Sequence, residues 1–440
     1  MRADQALQAA VIGAGLAGCE AAWALANAGF SVTLYEMKPE RYSPAHKFHG
    51  FAELVCSNSL KAERAESAAG MLKAEMRRLG SLVMECADLT RVPAGGALAV
   101  DRERFSLAVT EKIRSRPEIT VVPGEVTKLP AGAAVICTGP LTAGALADEI
   151  KTLCGDYLSF HDAAAPIVET DSIDLERVFY AARYDRGEAD YINCPMDKDS
   201  YLAFHDALVH AEAVELRDYE KEHFKVYEGC MPIEVLAKRG VDTMRFGPLK
   251  PVGLTDPATG RRPYAVIQLR AENTQGTLYN LVGFQTNLKF GEQKRVFSMI
   301  PGLENAVFAR YGVMHRNTFL DAPRLLTAGF QLKSAPHIFF GGQITGVEGY
   351  TESAASGILA GMNLARSLTG QAPLLLPRET MLGALCSYIS DGNVRDFQPM
   401  GANMGILPPL AQPIRDKKLR YEALSARGLA ALDDLLKLAL

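Results

Sequence analysis

Short apolar runs broken by glycine turns open this chain, and they alternate in the order strand, helix, strand. Ala9-Ala10-Val11-Ile12 reads as a buried strand, Leu16–Ala28 as the helix after it, and Ser31-Val32-Thr33-Leu34-Tyr35 as a second strand ending at Glu36. Val121-Val122 and Ala133-Ala134-Val135-Ile136-Cys137 read as further short buried strands, the latter ending in Thr138-Gly139-Pro140. A similar unit returns near the other end. Ile338-Phe339-Phe340 leads into Gly341-Gly342-Gln343, then Ile344–Ser353 and a small-residue helix, Ala354–Leu368. The middle differs, with a polar helix expected over Tyr201–Glu222 and strands over Tyr264–Leu269 and Leu278–Phe284. The pattern predicts an α/β protein. Its Rossmann-like domain occupies residues 1–185 and 326–440, the latter with C-terminal helices, and an inserted α+β substrate domain spans residues 186–325.

The first turn carries specific chemistry. In Gly13-Ala14-Gly15-Leu16-Ala17-Gly18, Gly13 permits the tight turn, Gly15 admits a pyrophosphate, and Gly18 lets the helix pack against the strand. Free N–H groups and the positive helix end then face the anion. Glu36 lies at the distance expected of a carboxylate that accepts ribose hydroxyls, and it favours a free 2′-OH, as in FAD or NAD. The Gly342-Gln343 turn offers a second helix N-terminus for the same cofactor.

Composition narrows the setting. The chain has 440 residues, 48% hydrophobic and 22% charged, as in ordinary globular proteins. Ala9–Ala26 is apolar apart from Glu20, but its glycines and missing basic flank argue against a signal or membrane helix. Eight cysteines without a CxxC pair fit free thiols in a reducing cytoplasm, and Cys19, Cys86 and Cys137 read as core. His46 and His49 have no neighbours of ligand type, so no metal site is expected. A net charge of −4 does not announce a nucleic-acid binder. The cations nevertheless cluster in the second half: Lys238, Arg239, Arg245 and Lys250; Arg261 and Arg262; Lys289, Lys294 and Arg295; and Arg415, Lys417, Lys418 and Arg420. Each run reads as a solvated face on its own, and together they suit a phosphate-facing surface.

Two cysteines stand apart. Cys56 lies in Leu54-Val55-Cys56-Ser57-Asn58-Ser59-Leu60-Lys61, and Cys230 in Tyr227-Glu228-Gly229-Cys230-Met231-Pro232-Ile233-Glu234, before a proline that can open a helix. A thiol at a helix N-terminus becomes a usable nucleophile; an inert packed thiol is the alternative reading of both.

These segments, with Arg245-Phe246-Gly247-Pro248-Leu249-Lys250-Pro251-Val252-Gly253-Leu254 and Phe339–Gly357, resemble the folate- and FAD-dependent tRNA uracil-5-methyltransferases (TrmFO). The resemblance covers about residues 10–425, and the longer GidA/MnmG flavoproteins are wider relatives. It implies a GR2-type flavoprotein that methylates C5 of the T-loop uridine, position 54, of tRNA. Methylenetetrahydrofolate would give the carbon and NADH or NADPH would reduce the flavin. It further implies Cys230 as nucleophile on the uracil and Cys56 as the second essential thiol, with the roles open to exchange. His315 and Tyr350 become folate candidates, with Glu348 and Glu352 as possible acid/base groups. Arg245, Lys250, Arg261, Arg262 and Lys289 become RNA candidates, and no membrane or metal partner is implied. The same chemistry on ribosomal RNA, a small-molecule flavin oxidoreductase and a non-catalytic scaffold stay open as alternatives.

Overall fold

The computed structural model describes residues 8–163, 165–185, 189–214, 231–395 and 397–439. Two sheets organise them, and β3 (Ser59–Ala62), β4 (Arg91–Val92) and β5 (Ala97–Val100) form a small antiparallel third. The first is parallel and built from β1 (Gln8–Ile12), β2 (Ser31–Glu36), β6 (Ile119–Pro123), β7 (Ala134–Ile136) and β16 (Ile338–Phe340), in the order β16-β7-β1-β2-β6. Their residues are mostly apolar and buried because helices cover the sheet, the usual condition of parallel strands. The strand order reverses between β1 and β7, which opens a crevice at their C-terminal ends.

Helix α1 (Leu16–Asn27) leaves that crevice and packs against the closing helix, Tyr350–Leu368. The two backbones approach so closely that a Cβ on Gly357 would lie 2.1 Å from the Ala17 carbonyl oxygen. Small residues on both helices permit this contact. The closing helix starts at Tyr350, four residues before the expected Ala354, after Gly349 turns the chain at φ +121°.

The second sheet is antiparallel, in the order β10-β11-β12-β13-β9-β14. It comprises β9 (Ile167–Glu169), β10 (Phe179–Tyr180), β11 (Tyr191–Met196), β12 (Ala265–Ala271), β13 (Leu278–Leu281) and β14 (Phe308–Arg310). A boundary at residue 186 therefore falls inside this sheet and needs correction, since β9 pairs between β13 and β14. The two-stranded ribbon of β8 (Leu158–Ala163) and β15 (Met314–Phe319) flanks the sheet in sequence, where the chain leaves and re-enters the parallel layer. The polar helix runs Lys198–Val209, and residues 215–222 of its expected span lie outside the described residues. Beyond it, residues 212–214 pair with 287–289 instead, through Lys289 N–H to Glu212 and Val214 N–H to Asn287. Each sheet has its own buried cluster: Tyr201, Phe204, Phe284 and Phe297 centre the inserted one.

Candidate active site

The first glycine turn builds one wall of a cavity of about 510 Å³ at the crevice. Gly13 has φ +96°, and a Cβ there would meet the Cys137 carbonyl oxygen at 2.6 Å. At Gly18 a Cβ would lie 1.7 Å from the Gly13 oxygen. Gly15 differs, because a Cβ there would meet nothing within 4 Å. It faces the cavity. The Gly15 and Leu16 N–H groups find no acceptor among the described residues and point from a helix start that favours an anion. Ala14 is committed, donating to Glu36 Oε2 at 2.7 Å, while Lys38 N–H donates to Oε1 at 2.9 Å. Each carboxylate oxygen keeps a lone pair for a further donor. Gly342 and Gln343 complete the cradle; Ser356 holds Gly342 N–H through its hydroxyl, and Gln343 donates to Glu348. An open phosphate turn, a carboxylate at the second strand end and a second glycine turn fit a dinucleotide such as FAD.

Cys56 opens onto the same cavity. The Tyr350 hydroxyl accepts the N–H groups of Cys56 at 2.7 Å and Ser57 at 3.2 Å, and stands 2.9 Å from Cys56 Sγ. With both oxygen lone pairs taken, its proton is directed at the sulfur. Burial, then the neighbouring Cys56, pushes the Tyr350 hydroxyl well above its ordinary range, so it stays a donor. Arg102 donates to the Leu54 and Val55 carbonyls and pairs with Glu272 at 2.5 Å, which places a guanidinium beside the thiol. Cys19, Cys86, Cys137, Cys154, Cys194 and Cys386 are buried in apolar surroundings, which raises every one of their thiols. The expectation of core roles for Cys19, Cys86 and Cys137 holds.

The cysteine loop is clamped from both domains. Asn58 donates to Val100 and Ala271 carbonyls and accepts from Arg270, which also reaches the Ser57 hydroxyl. Next along the chain, Lys61 holds φ +64° and pairs with buried Glu352 at 2.9 Å. Burial works against the charge of Glu352, but Lys61 and Ala402 N–H hold its carboxyl below the usual range. Glu352 therefore anchors the loop as an ion, as Lys73 does beneath it by donating to the Leu60 and Ala62 carbonyls.

The other candidates are scattered. Cys230 lies outside the described residues. His315 sits in β15, paired with Asp162 of β8. Arg245 is held within its own domain, 3.6 Å over the Tyr264 ring and 2.6 Å from Asp242, and Lys289 pairs with Glu212 at 2.6 Å. Lys250, Arg261 and Arg262 are exposed and make no ion pair with a described residue. Tyr350, a folate candidate from the sequence, lines the cavity with its hydroxyl against the Cys56 thiol. Arg102, Arg270 and Asn58 were missed. The one available signal was Arg270, a lone arginine in the apolar run Ala265–Ala271.

This fold and cavity define a protein of the Rossmann-like FAD-binding class. Residues 8–372 match the family model described as glucose inhibited division protein A. The methylenetetrahydrofolate–tRNA-(uracil-5-)-methyltransferase TrmFO of Halalkalibacterium halodurans is 56% identical, over 97% of this chain and 98% of the relative. Its Enterococcus faecalis namesake is 58% identical, over 95% and 96%. The chain belongs to the glucose inhibited division protein A family, among its TrmFO members. The Aquifex aeolicus GidA structure in its form II crystal superposes with a TM-score of 0.70 over 99% of this chain and 74% of that one. At 16% identity that likeness speaks for the fold alone.

Proposed function

We propose that this protein methylates C5 of the T-loop uridine, position 54, of tRNA, with methylenetetrahydrofolate as carbon donor, FAD as redox cofactor and NADH or NADPH as reductant. The observation that carries the reading is the placing of Cys56 and Tyr350 on the cavity formed by the dinucleotide turn, in a chain 56–58% identical to enzymes of that name.

The chemistry calls for such a site. Uracil C5 becomes nucleophilic only after a thiolate adds to C6, and reducing a methylene to a methyl needs two electrons. Residues 13–18, Glu36 and the 342–343 turn would hold FAD, which supplies those electrons when bound. Cys230 serves as the C6 nucleophile in this reading. Cys56 is the second thiol, placed to take or hold a proton: Tyr350 faces its sulfur with a hydroxyl proton, and Arg102 stabilises negative charge beside it. Glu348 lines the same wall and accepts from Gln343, while Glu352 is consumed as an anchor for Lys61.

The test supplies purified, flavin-loaded protein with methylenetetrahydrofolate, NADPH and an unmodified tRNA transcript. 5-Methyluridine should form in the transcript. Cys230→Ala should abolish it while keeping the flavin, and 5-fluorouracil RNA should trap an adduct on Cys230. An adduct on Cys56 would exchange the two thiol roles. Methylation of ribosomal RNA in place of tRNA would overturn the substrate, and no methylation of either RNA would overturn the reaction.

A further inference from the structure

Near the cavity, the Arg310 guanidinium has no partner among the described residues. Arg310 ends β14, half-buried, with Arg102, Tyr350, Cys56 and Glu272 near enough to act on its charge. Arg102 is satisfied by Glu272 and two carbonyls. The Arg310 guanidinium makes no hydrogen bond or ion pair with a described residue, while its backbone pairs with Ile167 in the sheet. A guanidinium presents five donors and stays protonated, so leaving it half-buried without an acceptor is costly. An oxyanion from outside the chain would satisfy it.

The same segment carries a platform for bases. Tyr311 stacks on Phe308 at 5.2 Å and 15°, and on Phe290 at 4.9 Å and 17°, so three rings lie nearly parallel. Phe290, 55% exposed, is the open end. Exposed Lys294, with Ser298, shares a second hollow with Phe308 and Tyr311, and the acid at its edge, Glu304, is paired with Arg177. Gln293 fixes the segment by bonding both the N–H and the carbonyl of Gly312 at 2.8 Å. A rigid ring stack with one open face beside a cation suits an unstacked nucleic-acid base.

We infer that Arg310 binds a backbone phosphate of the RNA whose base enters the Cys56 cavity, and that the Phe290–Tyr311–Phe308 stack receives a neighbouring base. The inference rests on the proposed RNA-methylating function. A phosphate is favoured over the carboxylate of a folate because the stack opens to solvent at Phe290, with exposed Lys294 on the same helix, where a polyanion running along the surface engages rings and cations together.

The experiment uses the flavin-loaded full chain and an unmodified tRNA transcript, with flavin content and circular dichroism reporting folding. Arg310→Ala and the shape-preserving Arg310→Gln should weaken transcript binding about tenfold, as loss of a charge-assisted bond does. They should also lower the log–log salt slope by about 0.7 to 0.9, the share of one phosphate. Arg310→Lys should keep the slope. Phe290→Ala should weaken binding by about tenfold at unchanged slope, since stacking releases no counterion. A raised KM for methylenetetrahydrofolate with unchanged RNA binding would overturn the inference in favour of a folate carboxylate. Unchanged binding and slope in both Arg310→Ala and Arg310→Gln would overturn it outright. A wild type that methylates no RNA would instead defeat the functional reading.

Discussion

Arg270, from the inserted sheet, donates to Asn58 Oδ1 at 2.9 Å, so the loop carrying Cys56 is held by the domain opposite the cofactor fold. Both partners are buried, and Asn58 spends its own two donors on the Val100 and Ala271 carbonyls. Asn58→Ala leaves those acceptors and a buried guanidinium short of partners. The expected loss is about 2 to 4 kcal/mol of stability, read by urea unfolding, with faster alkylation of the loosened Cys56. A stability within 0.5 kcal/mol of wild type, the usual range for a neutral surface change, would show the clamp to be dispensable.

Tyr350→Phe keeps the ring and removes the hydroxyl that faces Cys56 Sγ at 2.9 Å. Losing a donor to the sulfur disfavours the thiolate, so alkylation of Cys56 at pH 7 should slow severalfold. Mass spectrometry resolves this site from the other cysteines. Methyl transfer should fall about ten- to a hundredfold, within the range for a lost proton-transfer partner. Alkylation at the wild-type rate would remove Tyr350 from thiol control.

Gly15→Val separates cofactor binding from folding. The backbone there, at φ −73° and ψ −172°, is open to any residue, and a Cβ would project into empty cavity. The variant should fold with a normal circular dichroism spectrum and purify colourless. Gly18→Val should instead fail to fold, since its Cβ would sit on the Gly13 oxygen. Yellow Gly15→Val protein would contradict the assigned turn.

Glu20 ties stability to pH. It accepts from the Ser81 hydroxyl and from Leu82 and Val83 N–H, yet burial pushes its carboxyl from near 4.5 up to about 7. A folded pKa above the unfolded one means the native state binds more protons between those values. Unfolding free energy should therefore fall as pH rises through that window, with the full cost present above about 7. Glu75, which caps the helix Met381–Ser390 and is pushed to about 7, adds a term of the same sign. Glu20→Gln cannot titrate, so its stability should decline less than wild type between pH 5 and 7.5 in urea unfolding. An identical decline would remove Glu20 as a source.

The basic candidates should divide by what already holds them. Lys250→Ala, Arg261→Ala and Arg262→Ala together should lower the salt slope of RNA binding with little change in unfolding temperature, because these side chains are exposed and unpaired among described residues. Arg245→Ala should chiefly destabilise, because it removes the Tyr264 contact and the Asp242 pair. An unchanged slope in the triple variant would move the RNA surface toward Arg415–Arg420.

The sequence by itself determined the parallel sheet and its cofactor turn, since residues 8–36 contain every element of that unit within a few turns of chain. Glycine spacing, apolar runs and the terminal Glu36 are local signals, and local sterics fix them. It also marked Cys56 as unlike the core thiols by its polar neighbours. Only the tertiary structure decided what that thiol touches. Tyr350 is 294 residues away, Arg270 is 213 from Ser57, and Glu352 is 291 from Lys61. No periodicity links such positions, because they meet only where two independently built sheets and the closing helix converge. The start of the inserted sheet was hidden for the same reason: β9 is three residues long, and its place between β13 and β14 comes from long-range hydrogen bonds. Local propensity set the elements, and packing across hundreds of residues of chain set the site.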